Sequence, residues 1–168
     1  MRARPITAEV PAPPRLATRP EELLPELAEV SAALFRATGG QAVPRSTIGL
    51  VHLRAGQIVG NTYLTVLHTG LLRKAGVSEE RITAVSSWQD ATYFSGAERA
   101  ALALLEAVLQ PSAHGERVPD ELYAQVSEYY DEKALVALIT VIGQVTFFIP
   151  LALIAKPVPG RSFADPWV

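Results

Sequence analysis

The sequence predicts an all-α bundle of about seven helices built as one domain. Three observations carry this prediction. Apolar residues recur at three- and four-residue spacing along most of the chain, glycine and proline interrupt that period, and no stretch of useful length alternates as a half-buried strand does. The 168 residues are 49% hydrophobic and 19% charged, an apolar balance that points to extra burial in a homo-oligomer.

Residues 1–20 carry five of the thirteen prolines and are expected to form an extended arm, ordered where a neighbour holds it. Glu21–Thr38 follows with Leu23, Leu24, Leu27, Val30, Leu34 and Phe35 on a helical period, stopped by Gly39 and Gly40. Ser46–Val59 is the second helix, introduced by Pro44, and Asn61–Ala75 is the third, ended by Gly76. Ser78 followed by Glu79 and Glu80 gives a cap and an acidic first turn, so Ser78–Trp88 is the fourth. Ser95 and Glu98 make a capping box for the fifth, Ser95–Leu109. Pro119 opens a sixth that runs to about Tyr130. Asp131 and Glu132 begin the seventh, whose stretch Ala134–Ala155 runs 22 residues without a charge. That length spans a bilayer. Thr140, Gly143, Gln144, Thr146 and Pro150 interrupt it and flanking basic residues are sparse, so it is expected to be a core helix buried on most sides, partly by a subunit neighbour, and not a membrane span. The helical domain thus covers residues 21–156, and the Pro- and Gly-containing tail, residues 157–168, should be irregular.

Composition excludes several functions. A net charge of −2 without a basic cluster lacks the footprint of a nucleic-acid binder. No cysteine is present, which removes disulfides, thiolate metal sites and thiol redox chemistry. His52, His68 and His114 have no metal-binding spacing, so neither a metal nor a cofactor is expected. The N-terminus has no apolar core of a signal peptide, which points to a cytoplasmic protein.

The stretch Gln57–Gly70, QIVGNTYLTVLHTG, holds most of the candidate chemistry. Asn61 is suited to cap the third helix, and Asn61, Leu64 and His68 share one of its faces. Several runs then match a known pattern in order and spacing: Leu53-Arg54 to Gln57 and Gly60, Tyr63, His68 and Thr69, Gly76 to Ile82, Trp88 to Ser95 and Ala97-Glu98-Arg99 to Leu102, and Pro159-Gly160. From Pro20 to Phe163 the chain resembles the carboxymuconolactone decarboxylase family, in particular its alkylhydroperoxidase AhpD-like branch. That resemblance implies an AhpD-like helical bundle assembled into dimers, trimers or hexamers. It also implies a site at the start of the third helix, where the branch carries Cys-x-x-Cys, a histidine, and a glutamate twelve residues before the first cysteine that belongs to a proton relay. Here the cysteine positions hold Asn61 and Leu64, the glutamate position holds Gly49, and only the histidine remains, as His68. A disulfide-cycling peroxidase is therefore excluded on the atoms present.

The candidate catalytic residues are His68, Asn61, Tyr63 and His52. His68 is either a general base or an inherited core histidine. Asn61 is either a donor to a developing oxyanion or simply the helix cap. Tyr63 lines the site or packs. His52 shares a face with Gly49 and Gly56 and either takes the relay glutamate's place or sits on the surface. Gln57, Leu64 and Trp88 are candidates for substrate contact, each with a packing or helix–helix alternative. Glu98 and Arg99 read as a cap and a structural ion pair, and His114 as a solvated loop residue. Three functions follow. One is cofactor-independent acid/base chemistry on a small, mostly apolar substrate (decarboxylase, isomerase, eliminase or cyclase) with His68 as base. Another is a non-catalytic oligomeric binding or scaffold protein. The third, the weakest, is peroxide chemistry through bound metal or haem.

Overall fold

A computed structural model describes residues 12–112, 115–163 and 165. Residues 1–11 of the expected arm, and His114, lie outside that range. The described residues form α1 (Pro20–Leu23), α2 (Glu26–Thr38), α3 (Arg45–Ile58), α4 (Thr62–Lys74), α5 (Glu79–Ala84), a 3-10 turn at Val85–Ser87, α6 (Gly96–Leu109), α7 (Asp120–Ser127) and α8 (Glu132–Ala155), with no strand among them.

The all-α prediction holds, and the differences from it have local causes. The first helix is broken in two at Leu24-Pro25. Leu24 takes φ −136° and ψ 85°, because a proline ring disfavours helical backbone in the residue before it. The fourth helix ends early at Ala84 and tightens into the 3-10 turn before Trp88. The sixth stops at Ser127, short of Tyr130. The caps formed as the sequence predicts: the side chains of Asn61, Ser78, Ser95 and Asp131 each accept a backbone N–H of the first turn, and Ser95 and Glu98 complete the capping box. Glu98 also pairs with Arg81. Arg99, expected in an ion pair, instead donates to the carbonyls of Gln89 and Ala91.

Helix α3 is the centre of the bundle. Six of its residues within two turns (Leu50, Val51, His52, Leu53, Ala55 and Gly56) are buried, and it packs on α4, α6 and α8. One apolar cluster joins Val51 and Ala55 to Tyr63, Leu105, Leu138 and Val145. A second joins Leu50 and Leu53 to Leu72, Ile82, Trp88, Phe94 and Leu102. Each fully buried leucine in these clusters contributes on the order of 2 kcal/mol by removal from water, so α3 is gripped from two sides.

A tight turn fixes how α4 returns along α3. Gly60, at φ +63°, donates its N–H to Gln57 O (3.2 Å), and Asn61 donates its N–H to Gly56 O (2.9 Å). These two bonds are the Schellman pattern, which needs the left-handed residue that glycine supplies. Asn61 is therefore both the last residue of that turn and the cap of the next helix.

Helix α8 is long and apolar enough to cross a membrane by length and composition, with 39% of its most apolar window buried inside the chain. It packs on α2, α3, α4 and α7 through a single face that includes Leu138, Val141, Val145 and Ala152. Val136, Ile139, Phe147, Leu153 and Ile154 remain exposed, so burial on most sides is not achieved within one chain. Leu23, Leu24, Val30 and Phe35 of α1, α2 and their link are also exposed. Lys156 ends α8 in the left-handed conformation, before Pro157. The backbone N–H of Arg15, in the non-helical stretch before α1, reaches Ala155 O (2.8 Å).

Candidate functional site

The antiparallel α3 and α4 meet in three steps, each about one turn apart. At the first, Gly49 faces Leu72; a Cβ at position 49 would lie 2.6 Å from Leu72 Cδ2. At the second, His52 faces His68, with ring centroids 4.9 Å apart and planes at 65°. At the third, Gly56 faces Leu64; a Cβ there would lie 3.0 Å from Leu64 Cβ and 3.1 Å from Thr65 N. The glycines let the helices approach closely, and that approach holds the two imidazoles edge to face.

His52 is 7% exposed, which removes the surface alternative for it. Its Nε2 lies 3.0 Å from Val141 O. A carbonyl only accepts, so Nε2 carries the proton and Nδ1 keeps its lone pair. Burial pushes His52 down from 6.5 to about 4, against the opposing pull of the Val141 carbonyl. Burial, with the neighbouring His52, pushes His68 down to about 3. Both rings are uncharged at neutral pH. Among the described residues His68 makes no hydrogen bond, and it is only partly buried.

The remaining candidates divide. Asn61 is at the site as a cap: its Oδ1 accepts Leu64 N–H at 2.9 Å, which turns its amide nitrogen away from the helix. Leu64 is 1% exposed and seals the step above the histidines. Tyr63, 2% exposed, points into the core, and its ring meets Phe163 at 4.8 Å. Burial, aided by the negative Asp165, raises its phenol well above the ordinary value.

Gln57 and Trp88 belong to a different constellation. Glu106 Oε1 accepts from Arg54 Nε (2.7 Å) and Trp88 Nε1 (2.8 Å), and its Oε2 accepts from Gln89 Nε2 (3.0 Å). Arg54 Nη1 reaches Gln57 Oε1 at 3.5 Å, within one helix and not between two. Trp88 packs in the second apolar cluster with Phe94. This Arg54–Glu106 centre ties α3 to α6. Sequence periodicity does not reveal it, because its members are 52 residues apart; a lone arginine in an otherwise buried stretch of α3 is the available signal.

Among the described residues no three histidine, aspartate or glutamate side chains gather as metal ligands. A depression of about 550 Å³ opens between α2 and α8 at Ala37, Gln41, Asp131 and Thr140; His68 does not line it.

Residues 23–107, which include every residue of the three steps, match the carboxymuconolactone decarboxylase family. The chain belongs to that family. One relative, the uncharacterised protein YdfG of Bacillus subtilis (strain 168), is 36% identical over 125 residues, covering 74% of this chain and 83% of that one. A solved protein of unknown function from Agrobacterium tumefaciens, proposed as the antioxidant defence protein AhpD, superposes with a TM-score of 0.75 at 23% identity over 86% of this chain and 99% of that one. The debrominase Bmp8, solved with 2,3,4-tribromopyrrole, superposes with a TM-score of 0.71 at 20% identity over 84% of this chain and 74% of that one. The fold is thus the AhpD-like one, in a carboxymuconolactone decarboxylase-family chain with no cysteine.

Proposed function

We propose that this family member is a cofactor-independent acid/base enzyme acting on a small, mostly apolar organic substrate, with His68 moving the proton. The observation that carries this reading is the edge-to-face pair of desolvated, uncharged imidazoles. Burying two such rings gains less than burying two leucines, so fold stability alone does not account for them. His52, held by Val141 O, fixes the ring against which His68 rests. A base whose own value is about 3 keeps a proton poorly. A substrate that carries or develops negative charge beside the imidazolium raises that value, so carboxylated or readily ionised substrates fit best. The debrominase's halogenated pyrrole is a ligand of this general kind, small, apolar and acidic at nitrogen.

The test is conversion of a panel of β-keto acids, lactones and halogenated aromatic acids, followed by mass spectrometry. Conversion of at least one is expected, and His68→Gln should lower it by about 100-fold or more, the usual contribution of a positioned base, with the helical circular dichroism unchanged. Equal turnover by the variant removes His68 from the chemistry.

A second reading, a non-catalytic binding or scaffold protein, rests on Leu64 and Leu72, each 1% exposed, which fill the steps on either side of the pair. Ligand binding without conversion by any of the panel favours it.

Either way, we propose that the apolar surface of α2 and α8 meets further copies of the chain. Exposed Val136 and Ile139 lie on it, and uncovered apolar area of this kind marks an interface. Sedimentation should show an oligomer that Ile139→Glu converts to monomers; a wild-type monomer would refute this.

A further inference from the structure

We propose that the slot between Tyr63 and Phe148 binds an uncharged, planar aromatic carbonyl compound, and that Phe163 from the chain's own tail occupies it at rest. The slot is formed by the first turn of α4 and the second half of α8. Phe163 stacks on Phe148 with centroids 5.4 Å apart and planes at 26°, and meets Tyr63 at 4.8 Å and 58°. Both are normal aromatic contacts, so the one ring of Phe163 bridges α4 and α8. Phe163 matches its shape and leaves its polarity unmet. The Tyr63 hydroxyl is buried and has no hydrogen-bond partner among the described residues. A buried hydroxyl without a partner has given up water for nothing. A ligand with a ring in the place of Phe163 and a carbonyl toward Tyr63 would satisfy both demands.

The sign of charge narrows the class. Asp165, two residues beyond Phe163, accepts the Ser162 N–H at 2.7 Å, and its negative charge adds to burial in raising the Tyr63 phenol. The same carboxylate repels an anion, and the apolar walls penalise one further. A ketone, aldehyde or amide acceptor is therefore favoured over a benzoate. The plug is carried on irregular chain. α8 ends in left-handed Lys156, and Gly160, at φ +88°, makes a turn in which Arg161 N–H reaches Val158 O at 3.3 Å. Lifting Phe163 breaks no helix.

The inference stands apart from His68, and its readouts are binding and not turnover. Acetophenone is the probe, titrated into the full chain with ring-labelled phenylalanine. At saturation the Phe163 ring signals should leave their stacked positions. Phe163→Ala should bind acetophenone at least tenfold more tightly than wild type, since no ring has to leave. Adding Tyr63→Phe should weaken that binding about fivefold, the scale of one hydrogen bond, with toluene binding unaffected. Benzoate should bind more weakly than acetophenone throughout. The proposal is overturned if the Phe163 signals stay fixed at saturation, if Phe163→Ala gains no affinity, if Tyr63→Phe has no effect, or if benzoate binds more tightly. Should Phe163→Ala fail to fold, the wild-type titration and the single Tyr63→Phe variant decide by the same criteria.

Discussion

Between pH 7 and pH 5 the protein should lose about 4 kcal/mol of unfolding free energy, the consequence of a histidine pair in which His52 is buried and His68 largely desolvated. In the folded chain His52 and His68 titrate at about 4 and about 3, against 6.5 for a free histidine. At pH 5 the native state therefore still holds both rings neutral, whereas the unfolded chain has taken up a proton on each. The unfolded state binds more protons, so stability rises with pH through this window. It is complete above about pH 6.5 and falls progressively as pH drops toward the folded values. Each histidine accounts for about 2 kcal/mol over these two pH units. Carboxylates with ordinary values barely titrate in this range. Urea midpoints at the two pH values measure the loss directly. His68→Leu should keep the fold and roughly halve the pH dependence. If wild type and variant lose stability in parallel, the pair is not held uncharged in the interior.

Replacing Glu106 with alanine should cost about 3 kcal/mol, because the Arg54 guanidinium would be left mostly buried without its counter-charge. Both side chains of the pair are 15% exposed. The same substitution strips the acceptor from the Trp88 indole N–H and from Gln89. At this chain length the melting temperature should fall by about 6–12 °C. Glu106→Gln, which keeps an acceptor but not the charge, should lie between. Glu79→Ala is the contrast: its pair with Arg73 is 60% and 56% exposed, and such pairs contribute little. Equal effects of the two alanine substitutions would mean that burial does not set the strength of the Arg54–Glu106 centre.

What was legible in the sequence follows the range of the forces involved. Caps act over three residues, so Asn61, Ser78, Ser95 and Asp131 announced their helices directly. Pro25 is equally local, but the apolar period runs through it unchanged, so the period predicts one helix where the chain forms two. The steps Gly49–Leu72, His52–His68 and Gly56–Leu64 needed more. Their partners are fixed by the turn at Gly60 together with antiparallel packing, and sequence alone offered only the shared face of Gly49, His52 and Gly56 on α3. The Arg54–Glu106 centre and the seat of Phe163 against Tyr63 join residues 52 and 100 positions apart. No periodicity encodes such contacts. The placement of Trp88 and Gln57 apart from His68 had the same origin, since each choice of partner is made by the packing of α3 on α6.

The step at Gly49 and Leu72 bears on what thiol chemistry would require of this chain. The AhpD-like branch keeps its relay glutamate at the position of Gly49, and here the space just beyond that backbone is taken by the Leu72 side chain. Placing cysteines at positions 61 and 64 would supply the sulfurs but not the room for the relay. A carboxylate at 49 has to displace an isobutyl group that is 1% exposed, and that in turn disturbs the second apolar cluster. Thiol chemistry with such a relay on this chain thus calls for correlated changes on two helices at once. The obstacle is space as much as sulfur: the packing of one leucine on one glycine leaves no place for the relay's carboxylate.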